Sequence, residues 1–145
     1  MRDSRISMRA DLLARLSAAM NAHDLGAFVD CFDPSYDREQ PAHPDRHFTG
    51  RKQVQENWAA MFAGLPDFHA DVLRASGDDD TLWVEWHWTG TRADGTSLNA
   101  RGICVFGILN QRLTWGRLYM EDVETGERIK AAVASLAGLA SDQPR

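Results

Sequence analysis

The sequence is poor in cysteine, in clustered positive charge and in long apolar runs, and each shortage narrows what the chain can be. Two cysteines, Cys31 and Cys104, cannot staple 145 residues into a disulfide framework. Both sit in apolar runs, where a free thiol behaves as a small hydrophobe. No apolar stretch approaches the ~18 residues of a membrane span. The opening MRDSRISMRADLL carries arginines but no uninterrupted apolar core, so no signal peptide is expected and a cytoplasmic, reduced protein follows. Sixteen basic residues are outnumbered by twenty-one acidic ones, for a net charge of -5, and no Lys/Arg block forms. Nucleic-acid phosphates and anionic membrane surfaces both demand a clustered positive field, so neither is an expected partner. Glycine-rich phosphate cradles, zinc ribbons and Ser-His-Asp spacings are also missing, and no cofactor is expected.

What is present is a globular balance, with 43% hydrophobic and 26% charged residues. A chain of this length supports one core, so residues 1–145 are expected to form a single domain. Ile6, Arg9, Leu13, Leu16 and Met20 recur at helical spacing over 6–22, with Leu12 and Ala19 widening the stripe. Asp24 is a candidate N-cap for a second helix reaching Phe32, with Phe28, Cys31 and Phe32 inward, and Asp33-Pro34 should end it. His23, just before that cap, is placed to finish the first helix. Residues 35–40 suit a short strand, and the prolines and glycine of PAHPDRHFTG predict an irregular loop. Thr49 or Gly50 should open a third helix carrying Val54, Trp58, Met61 and Phe62, stopped at Gly64-Leu65-Pro66.

Strands are predicted at 68–75, 81–91, 97–109 and 113–123. Turns are expected at Gly77–Asp80, at Ala93-Asp94-Gly95-Thr96 and at Asn110-Gln111. Thr125 is a candidate cap for a C-terminal helix, about 125–139, with Ile129, Val133 and Leu136. The order predicts an α+β fold, with helices on one face of a curved antiparallel sheet.

Alternation assigns the strand faces. Leu82, Val84, Trp86 and Trp88 share one face with Ala100, Gly102, Cys104, Phe106 and Ile108, and with Gly116, Leu118, Met120 and Asp122. This nearly apolar face belongs under the helices. Its mix of glycines and rings, set against Met20, Trp58 and Met61, either fills a core or encloses a pocket. The opposite face, with Trp83, Glu85, His87, Ile103, Val105, Leu109, Trp115, Arg117, Tyr119 and Glu121, is too apolar to leave bare. A homodimer is expected through it, centred on Trp83, Ile103, Val105, Trp115, Arg117 and Tyr119.

The segments LLARLSAAMNAHDLGAFVDCF, FTGRKQVQENWAAMF, VEWHWTGTRADG and GRLYMEDVE, with a short strand ending at Pro41, together resemble the SnoaL-like branch of the nuclear transport factor 2-like superfamily. The resemblance covers residues 8–123. It implies a cone-shaped α+β barrel with a pocket between the N-terminal helices and the concave sheet. The fold hosts cyclases, isomerases, hydrolases, dehydratases and non-enzymes, so function rests on the residues.

Those residues depart from several of the family's catalytic sets. Where steroid isomerases place a tyrosine, a base and an oxyanion acid, the matching positions are Leu16, Gln40 and Cys104. Leucine donates no hydrogen bond and glutamine takes no proton from carbon, so that chemistry is not expected. The Asp–Arg–Asp set of limonene-epoxide-hydrolase-like members matches Trp86, Trp88 and Leu118, which removes that route too. The terminal-strand acid of SnoaL-like polyketide cyclases falls on Glu121 or Asp122, of which alternation puts Asp122 on the pocket face. A carboxylate at an apolar rim would have its pKa raised by desolvation, which suits proton transfer.

The resulting expectation is a pocket for a hydrophobic, ring-containing small molecule, with Leu16, Met20, Tyr36, Trp58, Phe62, Trp86, Trp88, Cys104, Phe106, Leu118 and Met120 lining it. Catalysis, where present, would be cofactor-free cyclisation, isomerisation or dehydration, with Asp122 as acid/base and Gln40 and Arg38 orienting. Arg38 would clamp a substrate oxygen or pair with Asp122. His43, Asp45 and His47 have ligand-like H-x-D-x-H spacing but no fourth ligand, so no metal is assigned, and His43 and His47 are read as lying at the pocket mouth. The alternative is a non-catalytic binding or dimeric interaction module, and exposure of Asp122 would favour it.

Overall fold

The structure, a computed structural model, describes residues 4–78 and 80–139. Asp79 of the expected turn and the Ile6 side chain lie outside what is described. Three helices precede most of the sheet: α1 (Ser4–Ala22), α2 (Leu25–Asp30) and α3 (Arg51–Gly64). Six strands follow the order β2-β1-β6-β5-β4-β3, with β1 Phe32–Glu39, β2 Phe48–Thr49, β3 His69–Gly77, β4 Thr81–Thr91, β5 Ser97–Leu109 and β6 Arg112–Asp122. The short α4 (Ile129–Leu136) ends the described chain. No helix among the described residues is long and apolar enough to cross a membrane.

The architecture is the expected α+β arrangement, a curved sheet with helices on its concave face, and the sheet stays open rather than closing into a barrel. Five strand pairs exist, and four are antiparallel; β1 runs parallel to β6, pairing Arg38 with Gly116 and Glu39 with Arg117. The expected curved antiparallel sheet is thus present, with β1–β6 as its one parallel pairing among the described residues. Parallel partners need a long crossover, and here the chain between Glu39 and Arg112, about half of its length, supplies it.

Local chemistry explains most boundaries. α1 ends at His23, whose φ of 54° is left-handed and whose N–H reaches the Met20 carbonyl at 3.2 Å. Asp24 Oδ1 accepts from the Ala27 N–H at 3.1 Å and so caps α2. That helix stops at Asp30, earlier than expected, because Phe32 already pairs with Leu113 in β1. Asp33-Pro34 therefore lies inside the strand, at a register irregularity between Phe32 and Asp37, where a missing proline N–H is tolerated.

The loop at 41–50 is more regular than its composition predicts. It contains a 3-10 turn, Pro44–Arg46, and the two-residue β2 that pairs with Asp37 and Arg38. Gly50, with φ of 107°, caps α3, and its N–H bonds the Tyr36 carbonyl at 2.7 Å. Asn110 and Gln111 both have positive φ, the geometry of a tight hairpin turn. Thr125 does not cap the last helix: the N-cap is Arg128, without a side-chain bond.

The core follows the inward stripe. Leu12, Leu16, Ala19 and Met20 of α1 are buried against Leu82, Val84, Trp86, Cys104 and Phe106 of the sheet. One position escapes simple alternation. A bulge between Gly107 and Ile108 makes Thr114 an extra residue, and it turns Leu113 inward to full burial. On the outer face Val105 is also buried, between its cross-strand neighbours Trp83 and Arg117. The remainder of that face is open, with Trp83 49%, Ile103 41% and Tyr119 45% exposed.

Candidate functional site: an apolar cavity with one cation

Between the helices and the concave sheet lies a cavity of about 190 Å³. Its most buried members are Leu16, Met20, Phe28, Tyr36, Val54, Trp86 and Cys104, each no more than 2% exposed. Half-buried Trp58 and Met61 of α3, Trp88 of β4 and Leu118 of β6 complete its apolar walls. The rings brace one another: Trp58 meets Phe28 at 4.7 Å and Trp88 at 5.6 Å between centroids. The first contact is tilted and the second edge-to-face, both favourable arrangements for aromatic pairs.

Polar groups are few. Tyr36 and Arg38 come from β1 and Asn57 from α3. Tyr36 is 2% exposed, and burial pushes its phenol pKa up, so it stays protonated. Cys104 is likewise pushed up to about 12 by burial, against smaller opposing effects of the Arg38 charge and the Trp86 N–H, so it is a thiol rather than a nucleophile. Arg38 is half-buried, and desolvation lowers its pKa from the usual guanidinium value. Its Nη1 donates to the Arg46 carbonyl at 3.0 Å and its Nη2 to Gln40 Oε1 at 3.2 Å, while its guanidinium lies 5.4 Å from the Phe48 ring centroid. The Asn57 Oδ1 accepts from Gln53 Nε2 at 2.7 Å, so its amide N–H groups are the donors it has left to offer.

The residues expected from sequence divide clearly. Leu16, Met20, Tyr36, Arg38, Trp58, Trp86, Trp88, Cys104, Phe106 and Leu118 are brought together around the cavity. Gln40 is buried behind Arg38 and fronts a separate surface groove with Pro41, Pro44 and His47. Phe62 packs elsewhere, stacked on His23 at 4.8 Å. Met120 is buried core beyond the cavity, opposite Gly102.

Asp122 is exposed and does not line the cavity. It has the pocket-face parity, but it is the last residue of β6, where the strand ends in exposed positions. The expected Arg38–Asp122 pair is absent, and Arg38 turns instead to Gln40 and Arg46. His43 lies 3.5 Å from the Glu121 carboxylate, and His47 bonds Asp37 at 2.7 Å, so the two imidazoles have separate outward partners. Neither belongs to the cavity wall. Among the described residues no group of three or more His, Cys, Asp or Glu side chains is arranged to hold a metal ion.

Sequence reasoning set Met61 against the pocket face but did not assign Phe28, Phe32, Phe48, Val54 and Asn57 to the site as lining residues. For α3 a signal existed: 54, 57 and 61 follow helical spacing, so Asn57 shares the stripe of Val54 and Met61. Phe48 was hidden in a loop taken as irregular.

A helix-covered, curved sheet around an apolar cavity is the architecture of the nuclear transport factor 2-like proteins. The sequence profile of the SnoaL-like domain matches residues 13–116, and the chain belongs to that family. Among solved structures, a putative SnoaL-like polyketide cyclase from Jannaschia sp. CCS1 superposes with a TM-score of 0.71 at 15% identity, covering 99% of each chain. Bal32a, from a soil-derived mobile gene cassette, gives 0.70 at 22% identity, over 81% of this chain and 92% of its own. AclR from Streptomyces galilaeus, described as a putative hydroxylase, gives 0.69 at 14%, over 96% of this chain and 90% of its own. At these identities the likeness is one of fold. No curated protein matches the chain.

Proposed function

We propose that this protein binds a small, hydrophobic, ring-containing molecule in the cavity between its helices and its sheet. The observation that carries this is the cavity itself, aromatic-walled and without a lining carboxylate or imidazole. Its volume of about 190 Å³ exceeds the roughly 150 Å³ that accommodates a benzene ring, so one ring or a fused pair is the fitting size. The exposed position of Asp122 supports binding over proton-transfer chemistry at that residue. The family keeps a second reading in play, since a structural relative is described as a putative polyketide cyclase. Turnover of a bound ring ketone or ester that survives Asp122→Asn would remove Asp122 from any such chemistry.

The test is a thermal-shift and tryptophan-fluorescence titration with one- and two-ring probes such as 1-tetralone and indole. Trp58, Trp86 and Trp88 line the cavity and report its occupancy. A ligand at about a thousand times its Kd stabilises the native state by roughly 4 kcal/mol. Leu118→Trp, which fills the cavity, should abolish the response. Absence of any response in the wild type at millimolar probe, or an unchanged response in Leu118→Trp, overturns the reading.

We also propose that a second copy of the chain covers the outer sheet face. Trp83, Ile103 and Tyr119 supply the apolar centre, and the exposed pairs Arg101–Glu85 and Arg117–Glu39 supply both charge signs around it.

A further inference from the structure

The cavity's polar groups are weighted towards donors: the Trp86 and Trp88 Nε1–H groups are buried without an acceptor among the described residues, and only the Tyr36 hydroxyl and the Cys104 thiol can accept as well as donate. Asn57 offers amide N–H groups, its oxygen being engaged by Gln53. Arg38 offers a guanidinium whose observed acceptors are both neutral, the Arg46 carbonyl and Gln40 Oε1. Among the described residues no Asp or Glu oxygen lies within ion-pair distance of Arg38. The lining groups able to become anions, Tyr36 and Cys104, are held neutral by burial. A half-buried cation on an apolar wall, without a counter-charge, is costly unless something else supplies one.

From this geometry we propose that the natural ligand is an organic acid, its ring against Trp58 and Trp88 and its carboxylate on Arg38. The proposal rests on the small-molecule-binding reading and names the chemical class of that ligand. A guanidinium presents a planar fork that matches a carboxylate with two parallel N–H bonds. Gln40, buried at 8% exposure, holds one Nη from behind and fixes the orientation of the fork. Phe48 packs on the same guanidinium and limits its hydration.

The experiment compares acids with their uncharged isosteres on the intact protein: benzoate against benzamide, and 2-naphthoate against 2-naphthamide, by isothermal titration calorimetry at neutral pH. The expected result is an acid at least about tenfold tighter than its amide in the better-fitting pair, the scale of a hydrogen bond to a charged group. Arg38→Met should cost the acid about tenfold or more and leave the amide within about threefold, while Arg38→Lys should keep much of the preference. An amide that binds the wild type as tightly as its acid overturns the proposal, yet leaves the cavity's binding role standing. Binding of none of the four probes overturns the proposal, and removes the cavity's binding role with it when 1-tetralone and indole also fail to bind. The wild-type comparison needs no variant, so a misfolded Arg38→Met still leaves a decisive result.

Discussion

Replacing Gly116 by alanine puts a methyl group where the Tyr36 hydroxyl lies, with two carbons of the Phe106 ring 3.1 Å away. Neither ring has an easy escape. Tyr36 is 2% and Phe106 6% exposed, and Tyr36 already meets Phe32 edge-on at 4.8 Å. Overpacking of this kind costs about 1–3 kcal/mol. For a chain of this size that corresponds to a fall in Tm of roughly 3–10 °C. Tyr36→Phe deletes the oxygen in the way, leaving only the Phe106 contacts, which a shift of a few tenths of an ångström relieves. The double variant should therefore recover most of the loss, with a favourable coupling of about 1 kcal/mol or more. Circular-dichroism melts of the wild type, both single variants and the double variant give the full cycle. A Gly116→Ala protein melting within about 1 °C of wild type, or a double variant no better than the sum of the singles, would refute the packing argument. Because Tyr36 and Phe106 both line the cavity, Gly116→Ala should also weaken probe binding.

Three further outcomes are expected. Trp83→Glu, which puts charge at the centre of the outer face, should convert a dimer to a monomer in sedimentation velocity at micromolar protein; a wild-type monomer there would count against the paired-sheet proposal. Asp67, Asp37, Asp33 and Asp94 have pKa values held low by bonds from Thr91, from His47 and Thr49, from Ser35 and from Thr96 respectively. A carboxyl whose folded pKa is depressed stabilises the fold above its unfolded pKa of about 4, and that contribution is lost as pH falls through the folded value. Melts should thus decline below about pH 4, and Asp67→Asn should flatten the decline. Finally, Cys31 and Cys104 are buried with raised pKa values, so an aromatic disulfide reagent at pH 8 should titrate neither until denaturant is added; two thiols reacting in the native protein would contradict their burial.

The architecture was legible because periodicity and turn chemistry agreed along most of the chain. Residues 82–86 alternate cleanly, the apolar run 103–106 still reads as strand, and Asp24 and Gly50 cap the helices they precede. What escaped notice depended on contacts distant in sequence. Phe32 looked like the end of a helix because nothing local announces its pairing with Leu113. Leu113 itself faces the core only through a bulge at Thr114. For the site, the tryptophan and leucine stripes located the cavity, but alternation alone promoted Asp122, since parity says which face a residue takes and not how far the cover extends. The pairing of Arg38 with Gln40 and Phe48 needed the folded loop at 44–49, which composition had marked as irregular.

The parallel seam between β1 and β6 also sets an order of events in folding. β3 to β6 are consecutive hairpins whose pairings close over short chain lengths, whereas Phe32 must wait for Leu113 and Arg38 for Gly116. Distant pairings pay their loop-closure entropy before any contact repays it, so they come late. Tyr36 and Arg38 ride on the late strand, while Trp86, Trp88 and Cys104 ride on the early ones. By that order the Trp86–Trp88 wall of the cavity precedes its cationic wall, and a ligand that bridges the two can bind only a chain that has already closed its seam.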